Sequence, residues 1–449
     1  LNGGRGAGVP LISATGNVSR TITGPGTHAT PQPLGLQLKA SGRVDVAAGT
    51  LTISARISED GTPRQLTKTG AGTLVLSGRN SYSGGTVVSA GVLELNNASA
   101  GNGRVDGTVT VASGAELRVT GGDGTGLGYN NGNKVDSLII NDGLVSSPGS
   151  CHIWNATVTM TGGELRSNGG VSSPTGSSFE WGDTMVNTLA SSNTAVISGR
   201  INIRADANSA NSSLLTLNVA DGPAGTDLLV SAALTQSGRP VGSTTGGNCG
   251  LVKKGAGTLR LTGAVQLTGL ISVEAGTLDL APSAMTTNAR INVANGARLQ
   301  LSAAATNAVK NLFLDGVKLS PGRWGAPGSV AAGLADFESP NITGAGVLSV
   351  ADTGPTAKER WKRMKYGQFT HYIYFGVMPD GTSYNNGDFA ADNFNAPKFA
   401  DDLESMGVEY VIFTAWHANF VPLFNSAAVP FQGKFAGVFR ADTRTRHMQ

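Results

Sequence analysis

Residues 66–95 read LTKTGAGTLVLSGRNSYSGGTVVSAGVLEL, and residues 251–280 read LVKKGAGTLRLTGAVQLTGLISVEAGTLDL. The two stretches align without a gap at a constant offset of 185, and half of their thirty positions are identical. The placing of the identities decides how the chain folds. Leu74 and Leu76 recur as Leu259 and Leu261, while Val75 between them becomes Arg260. Leu93 and Leu95 recur as Leu278 and Leu280 around Glu94 and Asp279. Such period-two alternation belongs to strands whose leucines point inward and whose intervening side chains face water. The shared glycines (Gly70, Gly72, Gly78, Gly91 against Gly255, Gly257, Gly263, Gly276) fall between these strands, where turns of positive φ favour glycine.

Looser versions of the same cadence occupy the flanking chain, as in VDVAAGTLTIS, VTVASGAELRV, INVANGARLQLS and NITGAGVLSV. Short strands every ten or so residues, without a helical pattern, predict an all-β fold. A sandwich or barrel has that spacing too. Persistence of one unit over some 350 residues favours a β-solenoid. With roughly 20 to 25 residues per coil and coils about 4.8 Å apart, the rod would be on the order of 70 to 80 Å long.

The run K-x-G-x-G-T-L-x-L-x-G in both copies resembles the autotransporter-associated β-strand repeat of bacterial surface and secreted proteins. The resemblance implies a right-handed parallel β-helix over residues 1–350, exposed at the cell surface or outside the cell. The chain opens LNGGRGAG without an initiator Met or a leader and stops at RADTRTRHMQ, so it is expected to be a piece of a longer protein.

A formal charge of +3 on 449 residues leaves no basic face for nucleic acid. No run of eighteen apolar residues exists to span a bilayer as a helix. Cys151 and Cys249 lack zinc-site spacing and are either a disulfide pair or buried thiols. GGDGTGLGYNNGN (121–133) lacks the Lys-Ser/Thr of a phosphate loop and the spaced acids of a calcium loop, and reads as a turn. His28 and His152 stand alone, which fits surface or packing roles. Neither a metal nor an organic cofactor is implied, and the oligomeric state is left open.

Near residue 355 the character changes. Of 26 aromatic residues only eight precede that point, while RMKYGQFTHYIYFG (363–376) alone holds five. Residues 351–357 read as a linker. In 358–449, GQFTHYIYF predicts a strand, APKFADDLESMG a short amphipathic helix, and VEYVIFTA a strand buried on both faces. Strand–helix–strand predicts a parallel α/β unit, the start of an incomplete TIM-type barrel. It puts His371 and His417 near the carboxyl ends of its strands, where barrels build their sites.

Two blocks in order, WKRMKYGQFTHYIYFG and FNAPKFADDLESMGVEYVIFTAWHANFVPLFNS, resemble the opening of the α-L-fucosidase family. That resemblance implies sugar contacts from His371, Tyr372 (in place of the family's Trp) and His417. Ala418 and Asn419 stand where the family has a second His and an Asp. Retaining glycosidases need two carboxyls about 5 to 5.5 Å apart, and the family's nucleophile lies on a later strand, beyond Gln449. No catalytic residue is therefore assigned within the chain. The leading expectation is a solenoid stalk displaying a fucosidase-like glycoside hydrolase, with a fucosylated glycan as partner. The alternative is a structural or adhesive surface protein with a non-catalytic remnant at its end.

Overall fold

Inward-facing leucines and valines at every second position stack into columns, and the columns fix the register of the fold. In the computed structural model Leu51, Leu74, Leu93, Leu117, Val145, Leu165, Ile197, Val230, Leu261 and Leu280 are paired one above the next by parallel hydrogen bonding. All ten are buried. A one-residue slip would turn each such column outward, so burial and pairing enforce one another. The structure describes residues 10–24, 35–97, 103–121, 127–128, 134–154, 156–168, 178–182, 184–204, 213–237, 248–282 and 284–351. Beyond these it describes 367–370, 376–377, 383–384, 398, 401–402, 405 and 410–413.

The chain divides into two units, Leu1–Asp352 and Thr353–Gln449. The first is a parallel β-solenoid. One sheet runs through thirteen parallel strands from Ile12–Ala14 to Asn311–Leu314 and ends on a fourteenth, Val317–Lys318, which is antiparallel. A second sheet has thirteen strands, from Ser19–Ile22 to Ile342–Thr343. Each coil contributes one strand to each sheet. Along part of the rod a third side is formed by Cys151–Trp154, Phe179–Gly182, Arg200–Arg204 and Ala233–Ser237. The single bridges Leu234↔Val265 and Val265↔Met285 carry that side further.

Thirteen coils at about 4.8 Å give a rod of about 58 Å, shorter than the sequence estimate. The reason lies in unequal coils. In the first sheet, successive strands begin 20 residues apart from Leu66 to Thr86, and again from Gly250 to Leu270 and Leu270 to Arg290. They begin 28 apart from Gly107 to Val135, 29 from Met185 to Leu214 and 36 from Leu214 to Gly250. The central coils spend chain on the third side and its connections, not on height.

The repeat glycines prove to be of two kinds. Gly70, Gly91, Gly255 and Gly276 have positive φ as expected. Gly72, Gly78, Gly257 and Gly263 do not, and are required for room. A Cβ on Gly263 would stand 2.1 Å from the Ala232 carbonyl oxygen of the coil before it. Near the end of the unit, Gly322–Gly325 lies antiparallel to Val347–Val350, and the rings of Trp324 and Phe337 stack at 4.8 Å.

In the second unit Gly367–Thr370 pairs in parallel with Tyr410–Phe413, and residues 398, 401, 402 and 405 between them are helical. Gly376–Val377 and Ser383–Tyr384 form an antiparallel pair. A parallel pair is two strands of the eight that a TIM barrel closes. The described residues thus carry a strand–helix–strand pairing and show no barrel.

Candidate functional site

The lysine of the repeat motif takes a role that its residue type conceals. Lys68 stands at an inward position, paired with Val44 on one side and Val88 on the other. Lys253 likewise stands between Leu217 and Val273. Both side chains are wholly buried. The Lys68 ammonium donates to the carbonyl oxygens of Thr69 (2.9 Å), Gly70 (2.7 Å) and, from the next coil, Ala90 (3.0 Å). Lys253 repeats the arrangement with Lys254 (3.0 Å), Gly255 (2.7 Å) and Ala275 (2.9 Å).

The physical cause is the tight turn. A turn through a glycine of positive φ directs its carbonyls into the rod, away from water, and a buried carbonyl without a donor costs about 1 to 3 kcal/mol. The ammonium supplies all three of its donors, while its methylene stem extends the apolar column. Burial pulls the pKa of each lysine down to about 8, opposed by Asp45 near Lys68 and by Asp227 near Lys253. These lysines staple one coil to the next and are not available to a ligand.

The outward faces of the two long sheets differ in charge. On the second sheet Arg118 pairs with Glu116 (2.9 Å) and Glu94 (3.9 Å), Arg166 with Glu164 (3.5 Å), and Arg260 with Asp279 (3.0 Å). Burial pushes the Glu116 carboxyl up, but bonds from Arg118 and Ser146 outweigh it and hold its pKa below the usual carboxylate value. On the first sheet the central outward columns are uncharged only between Arg43, which pairs with Thr67, and Lys254, which follows Asn218 and pairs with Glu274 at 3.6 Å. One column runs Thr67, Val87, Thr110, Ile139, Thr159, Asn187, Asn218. Beside it runs Thr108, Ser137, Thr157, Met185, Thr216, Val252, Ser272, Asn292. Asn218 Nδ2 donates to Asn187 Oδ1 at 3.0 Å, a rung linking two coils. This uncharged stretch, from Thr67 to Asn218, is the candidate interaction surface.

The third side holds a polar column. His152, Glu180, Asn202 and Thr235 follow one another in register. Glu180 accepts from Ser178 Oγ (2.6 Å) and Asn202 Nδ2 (2.7 Å), with Arg204 at 3.7 Å. Thr235 donates to Asn202 Oδ1 at 3.3 Å and accepts from Arg200 Nε at 3.2 Å. His152 and Asn202 are 4% and 5% exposed, while Glu180 and Thr235 are partly exposed. His152 is buried as the packing reading expects, and it stands in register beside Glu180. Cys151 and Cys249 are both buried thiols, and burial pushes the Cys151 thiol up to about 12. The pair is not a disulfide.

His371, Tyr372 and His417 lie outside the described residues, as does His28 and most of 121–133. Nothing was legible beforehand of the lysine staple, because an alternating pattern assigns a lysine to the solvent face by default. Its signal was present in the pattern: Lys68 and Lys253 share parity with the inward Leu66 and Leu251. Among the described residues no helix is long and apolar enough to cross a membrane.

A family model described as the passenger-associated-transport repeat matches residues 66–95 and 251–280, the segments that hold the two staples. The Adhesin BmaC autotransporter of Brucella suis biovar 1 (strain 1330) is 31% identical over 269 residues, covering 52% of this chain and 8% of the adhesin. The chain thus spans under a tenth of that relative's length. No solved structure matches. The chain carries autotransporter-associated repeats and is similar to an autotransporter adhesin. Neither match lends support to the glycosidase resemblance of the tail.

Proposed function

We propose that residues 1–352 are part of the passenger stalk of a bacterial cell-surface adhesin, wound as a right-handed solenoid. The observation that carries this reading is the duplicated repeat, whose two copies match the passenger-associated family and form the same lysine staple 185 residues apart. The stalk holds its outward faces at fixed spacing, and surface ligands contact those faces without chemistry. Antibody labelling of intact source cells tests the location. Labelling before lysis, lost on brief protease treatment of whole cells, is the expected result. Signal only after lysis contradicts the reading. For adhesion, beads coated with the chain should attach saturably to host-cell or matrix surfaces, and attachment no greater than that of albumin-coated beads contradicts it.

A second reading concerns the tail, and the parallel pairing of Gly367–Thr370 with Tyr410–Phe413 favours it. In that reading residues 358–449 begin a fucosidase-like barrel whose His371, Tyr372 and His417 contact a fucosyl group. A chain extended past Gln449 would hydrolyse an aryl α-fucoside with retention, and the 449-residue chain would not. Failure of the extended chain to turn over the fucoside leaves the adhesive reading alone.

A further inference from the structure

We propose that Asn295 is a site of spontaneous covalent modification, closing on the Gly296 amide to a cyclic imide that water opens to aspartyl and isoaspartyl forms. Of the Asn–Gly pairs in the chain, Asn295–Gly296 is the one whose two residues both lie among the described residues. It joins the strand Arg290–Val293 to the strand Arg298–Gln300. The Ala297 N–H donates to the Ala294 carbonyl oxygen at 3.0 Å and Gly296 has φ +81°, the form of a type II turn with Asn295 and Gly296 at its tip. Both residues are exposed, and a Cβ on Gly296 would meet nothing within 4 Å. Among the described residues, neither the Gly296 N–H nor the Asn295 carboxamide has a hydrogen-bond partner. The corner of the coil before it differs. Val273 pairs with Val293 and Leu278 with Leu299, so the chain between them is one residue longer in the later coil. In the shorter corner a Cβ on Gly276 would lie 2.5 Å from the Gly257 carbonyl oxygen, and the backbone is wedged in place.

The chemistry needs only water. The Gly296 nitrogen attacks Asn295 Cγ, and the new N–Cγ bond replaces the bond from Cγ to Nδ2. That nitrogen leaves as ammonia, taking up the proton that the Gly296 amide gives up. Water then adds to the imide at Cγ, which restores the main chain with an aspartyl side chain, or at the main-chain carbonyl carbon, which leaves an isoaspartyl link. Nothing is oxidised or reduced. Glycine leaves the attacking nitrogen uncrowded, and the open corner lets the Asn295–Gly296 peptide swing toward Cγ. Two other turns hold one requirement each. The Ala112–Ser113–Gly114–Ala115 corner has the same bond at 3.0 Å, with Gly114 at φ +71° and nothing within 4 Å, but its serine has no carboxamide. At Asp315–Gly316 the Gly316 N–H is held by Asn292 Oδ1 at 2.9 Å. The product places a new carboxylate three residues before the exposed Arg298 and lowers the formal charge from +3 to +2. In the isoaspartyl form it also lengthens the backbone, at a corner that has room for it.

The test is peptide mapping by tandem mass spectrometry on the full 449-residue chain, held folded at mildly alkaline pH for increasing times. Digestion is brief and mildly acidic, so that conversion belongs to the folded chain. Trypsin releases residues 291–298, INVANGAR, in which Asn292 is an internal control with its Oδ1 engaged by Gly316. The expected result is a gain of about 1 Da at Asn295 in two chromatographic forms, one of them a substrate for isoaspartyl methyltransferase. Conversion at Asn295 should be at least about tenfold faster than at Asn292, where the β-branched Val293 crowds the attacking nitrogen. Ser113→Asn should install the same conversion at the second open corner, and Ala275→Asn beside the wedged Gly276 should not convert. Ser113→Asn, at an exposed position, decides alone should Ala275→Asn fail to fold. An unchanged Asn295 in the folded chain, while synthetic INVANGAR converts, overturns the inference. So does conversion to aspartyl without isoaspartyl, equal conversion at Asn292, an inert Ser113→Asn, or an Ala275→Asn that converts as fast as Ser113→Asn.

Discussion

The coils that carry the two matched repeats and the coils between them solve the same problem by different means. In the repeats, turns are as short as a coil allows, strands recur every 20 residues, and buried lysines neutralise the carbonyls that short turns direct inward. In the central coils, start-to-start spacing reaches 36 residues, and a third side with a polar column of Glu180, Asn202 and Thr235 takes up the length. One region fixes coil height with charge and glycine. The other tolerates variable chain and holds itself with a neutral and charged hydrogen-bond network. In a solenoid each coil contacts only its neighbours, so the two strategies coexist in one rod.

The sharpest way to break this comparison is to remove a staple. Lys253→Met keeps the apolar stem but strands three carbonyls, and is expected to destabilise the unit by about 3 to 5 kcal/mol. Urea denaturation measures it, and a loss below about 1 kcal/mol would show that water serves those carbonyls equally well. Glycine gives the next effect. Gly276 has φ +66° and stands where a Cβ would lie 2.5 Å from the Gly257 carbonyl oxygen, whereas Gly296 has φ +81° with nothing within 4 Å. Gly276→Ala should cost about 2 to 4 kcal/mol and Gly296→Ala about 1 kcal/mol, compared in the same melts. Equal costs would mean that backbone conformation alone, not coil-to-coil crowding, selects glycine.

The pH response follows in size. Each staple lysine has a folded-state pKa of about 8 against an ordinary 10.5. Between those values the unfolded chain binds more protons, so this group's contribution to stability rises with pH across the window and is flat below it. The stability difference between wild type and Lys68→Met should therefore widen from pH 8 to 10.5, by at most about 3 kcal/mol. A difference that narrows would mean that the three carbonyl bonds hold the ammonium charged against burial. In the central coils Glu180→Gln should cost only about 1 to 2 kcal/mol, because the amide keeps one oxygen for Asn202 Nδ2 and its NH2 can donate to the Ser178 hydroxyl. Smallest of all, a three-residue Gly/Ser insertion after Gly225, whose Cβ position is open, should cost under about 1 kcal/mol. The same insertion after Ala71 should disrupt the staple and show as early melting of residues 66–95.

Much of the rod was legible in its letters because period-two burial leaves a direct trace. Leu74, Leu76, Leu93 and Leu95 stand inward as their repetition required, and the parallel solenoid follows from stacking them. The rod length was overestimated because the central coils lack the repeat and run longer: nothing in ELRSNGGVSSPTG or VSAALTQSGRPVG distinguishes a third side from a plain connection. The staple was missed because residue type outweighed parity at Lys68. Cys151 and Cys249 could not be assigned from spacing, since pairing depends on distance across the rod. In the tail, strand propensity placed Gly367–Thr370 and Tyr410–Phe413 correctly and anticipated their parallel pairing. A fold class for the tail depends on later strands than these.

The most direct test of the account is amide hydrogen exchange on the full chain and on Lys68→Met. Wild type should show its slowest exchange within 66–95 and 251–280, with the third side around Phe179–Gly182 opening first. Lys68→Met should lose protection in residues 66–95 and the adjoining coils while 251–280 keeps its own. Unchanged protection in 66–95 of the variant, or slower exchange on the third side than in the repeats, would contradict the claim that buried lysines make these coils the rigid segments of the rod.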